Sequence, residues 1–354
     1  MALLLVKNIG SLKLEQGGRQ MFKGMLLASV SLSFVFCAAY SSVSESPKSE
    51  FPSVELSNGV IKLNLYLPDP EKGYYRSTRF DWSGVISKIE YNGHNYVAEW
   101  KTSHDPGVND DIVGPVEEFR TGSFDEPSAL GYKEAKPGEQ FIKIGIGLLE
   151  KIDEPNYRFW NPYKIIKAGK WKVSYGKDWI EFQQDLQGVS GWSYLYTKKI
   201  TLSKDKPEFI MSHSLKNTGT RDIETSQYNH NFFIIDGTPI GTDYVLKFPF
   251  EVKTKRDVKE FLVAKGKELY FVKNLESEAP FTELEGFGND AKDYEITIQN
   301  NKTSAGVIIK GDNPIAHLNF WTVKNTVCPE PFVAMNLAPN EQKDWNITYT
   351  FFAK

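Results

Sequence analysis

The feature that most constrains the fold is a repeated alternation of apolar and polar residues in short runs that end at turn residues. In residues 60–67, Ile61 and Leu63 fall on one face of an extended chain, while Lys62 and Asn64 fall on the other. A period of two is typical of a half-buried β-strand. The sequence therefore predicts strands along most of its length.

Paired strand runs surround turn residues such as Asn92-Gly93, a strong hairpin signal. Helical periodicity is almost absent, and residues 258–271 carry a mixed pattern that favours neither a helix nor a strand. Short strands at regular spacing predict an all-β sandwich, and no self-similar period suggests a propeller or solenoid. Further predicted strand regions are residues 85–97, 171–186, 194–202, 209–215, 296–299, 305–309 and 345–352.

The N-terminal region has the layout of a secretory signal. An apolar segment at residues 25–40 follows Arg19 and Lys23 and ends in small residues, and a Ser-rich polar spacer comes next. The apolar part is too short for a comfortable membrane span. We therefore predict a signal peptide and spacer over residues 1–45, with cleavage near Ala39, and export to the periplasm or the medium. No membrane span is expected after removal of the signal, and residues 46–354 are predicted to form a single domain.

Charge and cysteine content exclude several classes of protein. The formal net charge is -3 and charges of both signs are well mixed, so nothing suggests a nucleic-acid surface. Cys37 lies in the predicted signal, which leaves Cys328 alone and excludes a disulfide framework or a cysteine-based zinc site. A neutral small molecule or a glycan is the expected partner, with no metal or organic cofactor. The oligomeric state stays open.

One stretch, residues 226–236, reads S-Q-Y-N-H-N-F-F-I-I-D. On a strand, Tyr228, His230 and Phe232 share one side and Asn229 points to the other. Histidine moves protons near neutral pH, and aromatic rings and carboxamides suit a polyhydroxylated ligand. Taken by itself, a buried structural histidine is the simpler interpretation.

A second stretch, residues 327–339, places Glu330 between Pro329 and Pro331. Proline has no amide hydrogen, so we expect that both prolines cannot serve in a central strand ladder. A carboxylate on a stiff, irregular segment beside Cys328 is a candidate general base. A solvated turn is an equally reasonable interpretation.

These two stretches together resemble the aldose 1-epimerase, or galactose mutarotase, family. Residues 214–236 are similar to the family's N-x-G turn and its N-H-x-[YF]-F strand. Residues 328–330 (C-P-E) and 337–341 (L-A-P-N-E) are similar to its C-x-E and L-x-P-x-E segments. The resemblance covers roughly residues 60–352, and its specific motifs lie in the C-terminal half. It implies a β-supersandwich, with His230 as catalytic acid and Glu330 as catalytic base.

The resemblance is incomplete in the N-terminal half. The family has an early arginine in a G-R-x-x-N-R context, for which Arg120 in G-P-V-E-E-F-R is the nearest candidate. Its second histidine, in an H-G pair, has no evident counterpart. Asp290 falls where the family carries a sugar-binding aspartate, and Asn229 and Trp321 are further candidates for substrate binding.

The remaining four histidines are predicted to be structural. His213 and His317 lie on predicted strands among apolar residues, and His94 lies at a hairpin turn. His104 is close to Asp105, Asp110 and Asp111 in a polar loop, but that spacing matches no recognised cation site, and a solvated loop is the simpler interpretation.

The resemblance implies an isomerase that interconverts sugar anomers of a mono- or oligosaccharide. Glu330 takes the proton of the C1 hydroxyl and His230 serves the ring oxygen from the opposite side of the sugar. The missing second histidine favours an alternative, an exported carbohydrate-binding protein with little or no catalysis. A glycan lyase or hydrolase ranks last, because hydrolases usually use two carboxylates and only Glu330 lies in a motif.

Overall fold

Twenty-four β-strands and two short 3₁₀ helices form the secondary structure of residues 50–354, the part of the chain that the computed structural model describes. The helices are η1 (Ile235–Gly237) and η2 (Ala291–Asp293). The strands, in chain order, are β1 (Ser53–Ser57), β2 (Ile61–Tyr66), β3 (Val85–Tyr91), β4 (His94–Asn95), β5 (Gly114–Gly122), β6 (Pro127–Ser128), β7 (Gln140–Lys143), β8 (Gly147–Glu150), β9 (Ile165–Ala168), β10 (Trp171–Tyr175), β11 (Trp179–Gln187), β12 (Ser193–Leu202), β13 (Glu208–Asn217), β14 (Ile223–Phe232), β15 (Tyr244–Lys247), β16 (Lys253–Thr254), β17 (Leu262–Lys265), β18 (Glu268–Phe271), β19 (Phe281–Glu285), β20 (Glu295–Asn300), β21 (Ala305–Gly311), β22 (His317–Val323), β23 (Thr326–Leu337) and β24 (Gln342–Ala353).

Two large antiparallel sheets make up most of the fold. Ten strands follow the order β10-β11-β12-β13-β24-β21-β20-β15-β18-β17, and seven follow the order β16-β19-β22-β23-β14-β5-β6. Smaller sheets of four and three strands join β1 to β4 and β7 to β9. The prediction of an all-β sandwich is confirmed. Residues 258–271, which the sequence left undecided, contain the hairpin of β17 and β18, with Gly266 in the left-handed region at φ 58°.

Alternating side chains of the ten-stranded sheet fill the core. Strands β12 and β13 alternate between buried and half-buried positions throughout, as their sequence periodicity predicts. In contrast, β14 is buried on both faces from Tyr228 to Phe232, and β23 from Thr326 to Val333. These two strands therefore lie in the middle of the molecule, with protein on one side and a walled cavity on the other.

A layer of buried polar side chains connects the two large sheets. Glu117 on β5 accepts hydrogen bonds from Lys198 on β12 (2.5 Å) and His213 on β13 (2.9 Å), and all three are buried. Burial opposes ionisation of Glu117, yet Lys198 and His213 hold its pKa below its usual value. Trp345 on β24 donates to Gln227 on β14 at 2.9 Å. We call Glu117, Lys198, His213, Gln227, Asn229, Asn231, Trp345 and Tyr349 the inter-sheet polar layer.

The expectation that two prolines keep the Glu330 segment out of a central ladder is wrong. Strand β23 continues through Pro329 and Pro331, which pair with Phe320 and Leu318 of β22, whereas the ladder with β14 stops at Phe332 and resumes only as a single bridge at Val327. Its register with β14 is the same before the prolines, at Phe233 and Val327, as after them, at Tyr228 and Phe332. Proline has no backbone N–H, so the ladder between β14 and β23 lacks a donor at Pro329. The side-chain amide of Asn231 donates to the carbonyl of Pro329 at 2.8 Å and so joins the two strands at this place.

The predicted signal peptide, spacer and cleavage near Ala39 concern residues outside the described part of the chain. Within residues 50–354, no helix has both the length and the apolar character needed to cross a membrane.

Candidate active site

A cavity of about 880 Å³ lies on the face of the seven-stranded sheet that points away from the inter-sheet polar layer. Loops before β5, between β5 and β6 and between β8 and β9 form its walls. The side chains most relevant to its chemistry are Arg79, Arg120, His230, His317, Trp321 and Glu330.

The floor of the cavity is a row of residues across adjacent strands. Glu330 on β23 lies opposite Asn319 on β22, which lies opposite Glu283 on β19. On the other side, His230 on β14 lies opposite Val116 on β5. Because directly opposite residues of an antiparallel sheet project from the same face, this register brings side chains from distant parts of the sequence into one site.

His230 and Glu330 are in direct contact at the cavity floor. The distance from His230 Nε2 to Glu330 Oε1 is 3.1 Å, and each side chain is 5% exposed. The amide of Asn319 lies 3.4 Å from the other carboxylate oxygen. His230 Nδ1 is buried and has no hydrogen-bond partner among the described residues. The sequence prediction placed these two groups on opposite sides of a sugar, whereas the structure places them side by side.

Burial pushes the two groups towards their uncharged forms. It raises the pKa of Glu330 to about 7, although Arg79 and Arg120 oppose the change. Burial also lowers the pKa of His230 well below its ordinary value, and the nearby Arg79 guanidinium adds to this effect. Below about pH 7 the pair therefore holds one proton, which the carboxyl group carries when the cavity is empty.

Aromatic rings enclose the pair. Phe232 stacks on the His230 imidazole, with ring centroids 4.0 Å apart and an interplanar angle of 12°. Trp321 and Phe80 present edges to it, each with a centroid distance of 5.5 Å. Such walls offer flat apolar surface beside a polar centre, which suits a sugar ring.

A charged network fixes Arg79 at the cavity wall. Its Nε donates to Glu118 at 2.9 Å and it pairs with Asp110. Glu118 also accepts from Lys143 at 2.9 Å and from the Tyr228 hydroxyl at 2.5 Å. Burial alone would raise the pKa of Glu118, but Lys143 and Arg79 hold it below its usual range. Arg79 is therefore a permanently charged and well-positioned donor.

Of the predicted site residues, the structure brings His230, Glu330, Arg120 and Trp321 to the cavity. Asn229 does not reach it, because residues alternate along β14; its amide instead donates to the Tyr349 hydroxyl at 3.0 Å within the inter-sheet polar layer.

Asp290 is also away from the cavity. It caps helix η2 in the loop between β19 and β20, accepts from the Lys292 amide at 2.9 Å and pairs with the Lys292 ammonium at 3.1 Å. A capping role at an exposed turn accounts for this aspartate. The structure therefore supports substrate contact for neither Asn229 nor Asp290.

Sequence reasoning missed many of the cavity residues, and Arg79, His317 and Asn319 are the ones closest to the proposed chemistry. Arg79 lies in the run R-S-T-R, nearer the N-terminus than Arg120, and this run could have identified it as a candidate for the early arginine. His317, predicted to be structural, lines the cavity and its Nε2 lies 2.7 Å from Asn319 Oδ1. Asn319 carried no sequence signal, because its position depends on pairing with Glu330.

The other histidines have structural partners. His213 belongs to the inter-sheet polar layer, and His94 Nδ1 lies 2.8 Å from Asp236. His104 contacts Asp111 and the carbonyl of Tyr74 at 3.0 and 2.8 Å. Within residues 50–354, no group of three or more His, Cys, Asp or Glu side chains is arranged to hold a metal ion.

Comparisons with known proteins identify the fold. A scan of protein-family models and a search of curated proteins find no match. A galactose mutarotase related enzyme from Lactobacillus acidophilus superposes with a TM-score of 0.51 at 13% identity, over 85% of this chain and 97% of that one. A galactose mutarotase-like protein from Clostridium acetobutylicum gives 0.51 at 13% identity, over 86% and 99%. A protein from Escherichia coli K12, provisionally assigned as an aldose 1-epimerase, gives 0.52 at 14%, over 85% and 99%. The chain has the galactose mutarotase-like β-supersandwich fold, as the sequence resemblance implied.

Proposed function

We propose that this chain binds a sugar in the cavity and interconverts its anomers, with His230 and Glu330 as the proton-transfer pair. One observation carries the proposal: two groups a hundred residues apart in sequence meet at 3.1 Å on the floor of an aromatic-walled cavity. A carboxyl group with a pKa of about 7 beside an imidazole is suited to exchange protons near neutral pH.

The side-by-side arrangement fits the chemistry of anomerisation. Ring opening requires the C1 hydroxyl to lose a proton and the ring oxygen to gain one. These two oxygens are bonded to the same carbon, so an acid and a base that are neighbours on one wall can serve both. Two groups on opposite sides of the ring are not required.

The number of protons on His230 and Glu330 together is the same before and after ring opening. The single proton first passes from Glu330 to His230 across their 3.1 Å contact. Ionised Glu330 then accepts the proton of the C1 hydroxyl and protonated His230 donates to the ring oxygen, which leaves Glu330 protonated and His230 neutral. Rotation of the aldehyde and the reverse transfers give the other anomer and restore the pair. The pair keeps one proton in total, and burial favours the neutral arrangement that accompanies the open-chain sugar. Arg79, Asn319 and Trp321 are proposed to orient the sugar.

The test is exchange NMR or polarimetry on freshly dissolved sugars, with the uncatalysed rate subtracted. Glu330→Gln is expected to lower the exchange rate by about 10²- to 10⁴-fold, because it removes the proton acceptor and keeps the shape. Glu295→Gln, a half-exposed carboxylate on the other large sheet, is the matched control. Full activity in Glu330→Gln would exclude the proposed role.

A second candidate is carbohydrate binding without catalysis. It is favoured by the direct contact of His230 with Glu330, since each satisfies the other without a ligand and burial holds both uncharged. Saturable sugar binding with no acceleration of anomer exchange in the wild-type protein would decide for this candidate.

A further inference from the structure

The charges on the cavity wall do not balance among themselves. Arg256 pairs with Glu283 at 3.0 Å, and the Lys151 ammonium donates to the carbonyls of Tyr132 and Ala135. The Arg120 guanidinium, by contrast, has no hydrogen bond or ion pair within residues 50–354, only the Phe332 ring at 5.6 Å.

Glu118, two residues away on the same face of β5, makes no hydrogen bond or ion pair with Arg120, although the charge of Arg120 helps to lower the pKa of Glu118. Lys143 binds one of its carboxylate oxygens at 2.9 Å, and the other accepts from Arg79 at 2.9 Å and from Tyr228 at 2.5 Å. A half-buried cation that has no hydrogen-bonded counterion, beside a carboxylate whose oxygens are already occupied, is a favourable place for an anionic ligand group.

The backbone of Arg120 is also displaced from the proton-transfer pair. It lies four residues along β5 from Val116, the residue opposite His230, which corresponds to about 13 Å of strand. The long side chain brings the guanidinium back over the ring of Phe332, two residues from Glu330 on β23, and its charge still lowers the pKa of Glu330. An anion bound to Arg120 would therefore lie beside the proton-transfer pair, on the same sugar unit or on the next one.

The cavity extends towards exposed aromatic rings. Its volume of about 880 Å³ is near the upper end of the range of about 300–1,000 Å³ for small-molecule sites, far more than one sugar ring needs. At the mouth, Trp160 is 54% exposed and Phe124 is 38% exposed, and Phe124 stacks on His317 at 4.1 Å. Exposed rings around a cavity are typical of a binding surface.

We infer that the ligand is an oligosaccharide that carries an anionic substituent, a carboxylate or a sulfate ester. One unit lies at His230 and Glu330, the anionic group lies against Arg120, and further units contact Trp160 at the mouth. This inference rests on the proposed sugar-binding function, and it departs from the neutral partner that the overall charge of the chain favoured. Arg158 and Lys133 add positive charge at the mouth, where Asp125 and Glu126 are the opposing carboxylates.

The experiment is calorimetric titration of the purified protein with galactose, galacturonic acid, and tetrasaccharides of galactose, galacturonic acid and sulfated galactose. We expect one of the two acidic tetrasaccharides to bind at least about tenfold more tightly than the neutral one. If the galacturonic acid chain binds more tightly, the substituent is a carboxylate; if the sulfated galactose chain does, it is a sulfate ester. Arg120→Gln should lower the acidic-to-neutral affinity ratio about tenfold or more. Arg221→Gln, which removes an exposed guanidinium outside the cavity, is the matched control.

Trp160→Ala tests the chain-length part of the inference, since it should reduce the gain in affinity from galacturonic acid to its tetrasaccharide. Three outcomes would each overturn the inference. They are equal affinity for acidic and neutral tetrasaccharides, an acidic-to-neutral affinity ratio that does not change in Arg120→Gln, and equal affinity for galacturonic acid and its tetrasaccharide. Repeating the titrations with Glu330→Gln measures binding of acidic chains without the proposed proton acceptor. In the wild-type protein, binding of acidic chains without exchange of anomers supports this inference and contradicts catalysis. Exchange of neutral sugars with no acidic preference does the reverse.

Discussion

Glu330 owes its chemical character to its surroundings rather than to its sequence motif. An ordinary glutamate in a protein is ionised near neutral pH, but this carboxyl group is buried. The Arg79 and Arg120 guanidinium groups and the hydrogen bond from Asn319 offset only part of the effect of burial. His230, Asn319 and Glu118 complete the set of polar groups around it. The motif identified the residue, whereas its pKa depends on burial that only the folded cavity creates.

The pH dependence of activity should follow the single proton that the pair holds. Glu330 keeps its proton below about pH 7, and His230 stays neutral to a lower pH. As pH rises through 7 the pair loses that proton, so the catalysed kcat/KM should fall, by about tenfold or more between pH 6 and pH 9. A simple glutamate base would instead give a rate that rises from about pH 4 and then stays constant. The measurement is the exchange rate over pH 5–9 with the background at each pH subtracted.

Stability should show the same titration with a defined sign. The pKa of Glu330 is raised in the folded protein from 4.5 to about 7, so its contribution is fully present below pH 4.5 and is lost as pH rises through 7. Glu330→Gln cannot ionise, so relative to wild type it should gain about 3 kcal/mol of unfolding free energy between pH 4.5 and pH 9. Denaturant titration at both pH values measures this difference. Glu55→Gln reports the effect of losing an exposed carboxylate, and an identical pH response in the two variants would contradict the prediction.

At the scale of elements, the pairing of β14 with β23 creates the site. Strands with clean alternation between turn residues, such as β2, β12 and β13, could be predicted from the sequence because both signals are local. The hairpin around Asn92-Gly93 is another example. Strand β23 could not, because its two prolines indicate an irregular segment, and the compensating donor on Asn231 is about a hundred residues away. For the same reason, Asn319 and His317 reach the cavity through strand pairing that no local pattern specifies.

Asn231→Ala tests the compensation directly. The change removes the donor to the Pro329 carbonyl and the acceptor of the Tyr349 hydroxyl, both in a fully buried position. Leaving buried polar groups unsatisfied should lower the free energy of unfolding by about 1–3 kcal/mol or more. Asn336→Ala, at an exposed position of β23, should change it by less than about 0.5 kcal/mol. Chemical denaturation measures both, and equal values would show that Asn231 does not support the strand.

At the scale of the whole molecule, the inter-sheet polar layer holds the two large sheets together directly behind the cavity floor. The adjacent residues Glu117 and Glu118 point in opposite directions from β5, one into this layer and one towards the cavity. Sequence reasoning found the sandwich and the two central residues, because their motifs are specific. It did not find this layer, since a buried lysine or glutamate on a strand has the same local pattern as an exposed one.

Lys198→Met should destabilise the protein strongly. It leaves Glu117 with His213 and, at 3.4 Å, the Asn229 amide as partners in the interior, and breaking a buried ion pair typically costs about 3–5 kcal/mol. Lys199→Met, at the next and half-exposed position of β12, should have little effect. Adding Glu117→Gln to Lys198→Met should restore part of the loss, with a coupling of about 1 kcal/mol or more. Additive losses in the double variant would mean that the two charges do not support each other.

The inter-sheet polar layer also limits how this protein can acquire new specificities. Sliding one sheet over the other would separate Lys198 from Glu117 and Trp345 from Gln227 at the same time, so the cavity floor is locked in register. Adaptation to a different ligand, whether by evolution or in the laboratory, should therefore proceed through the connecting loops at residues 96–113, 123–126 and 151–164. These loops can change in length or sequence without breaking the hydrogen bonds between the two sheets.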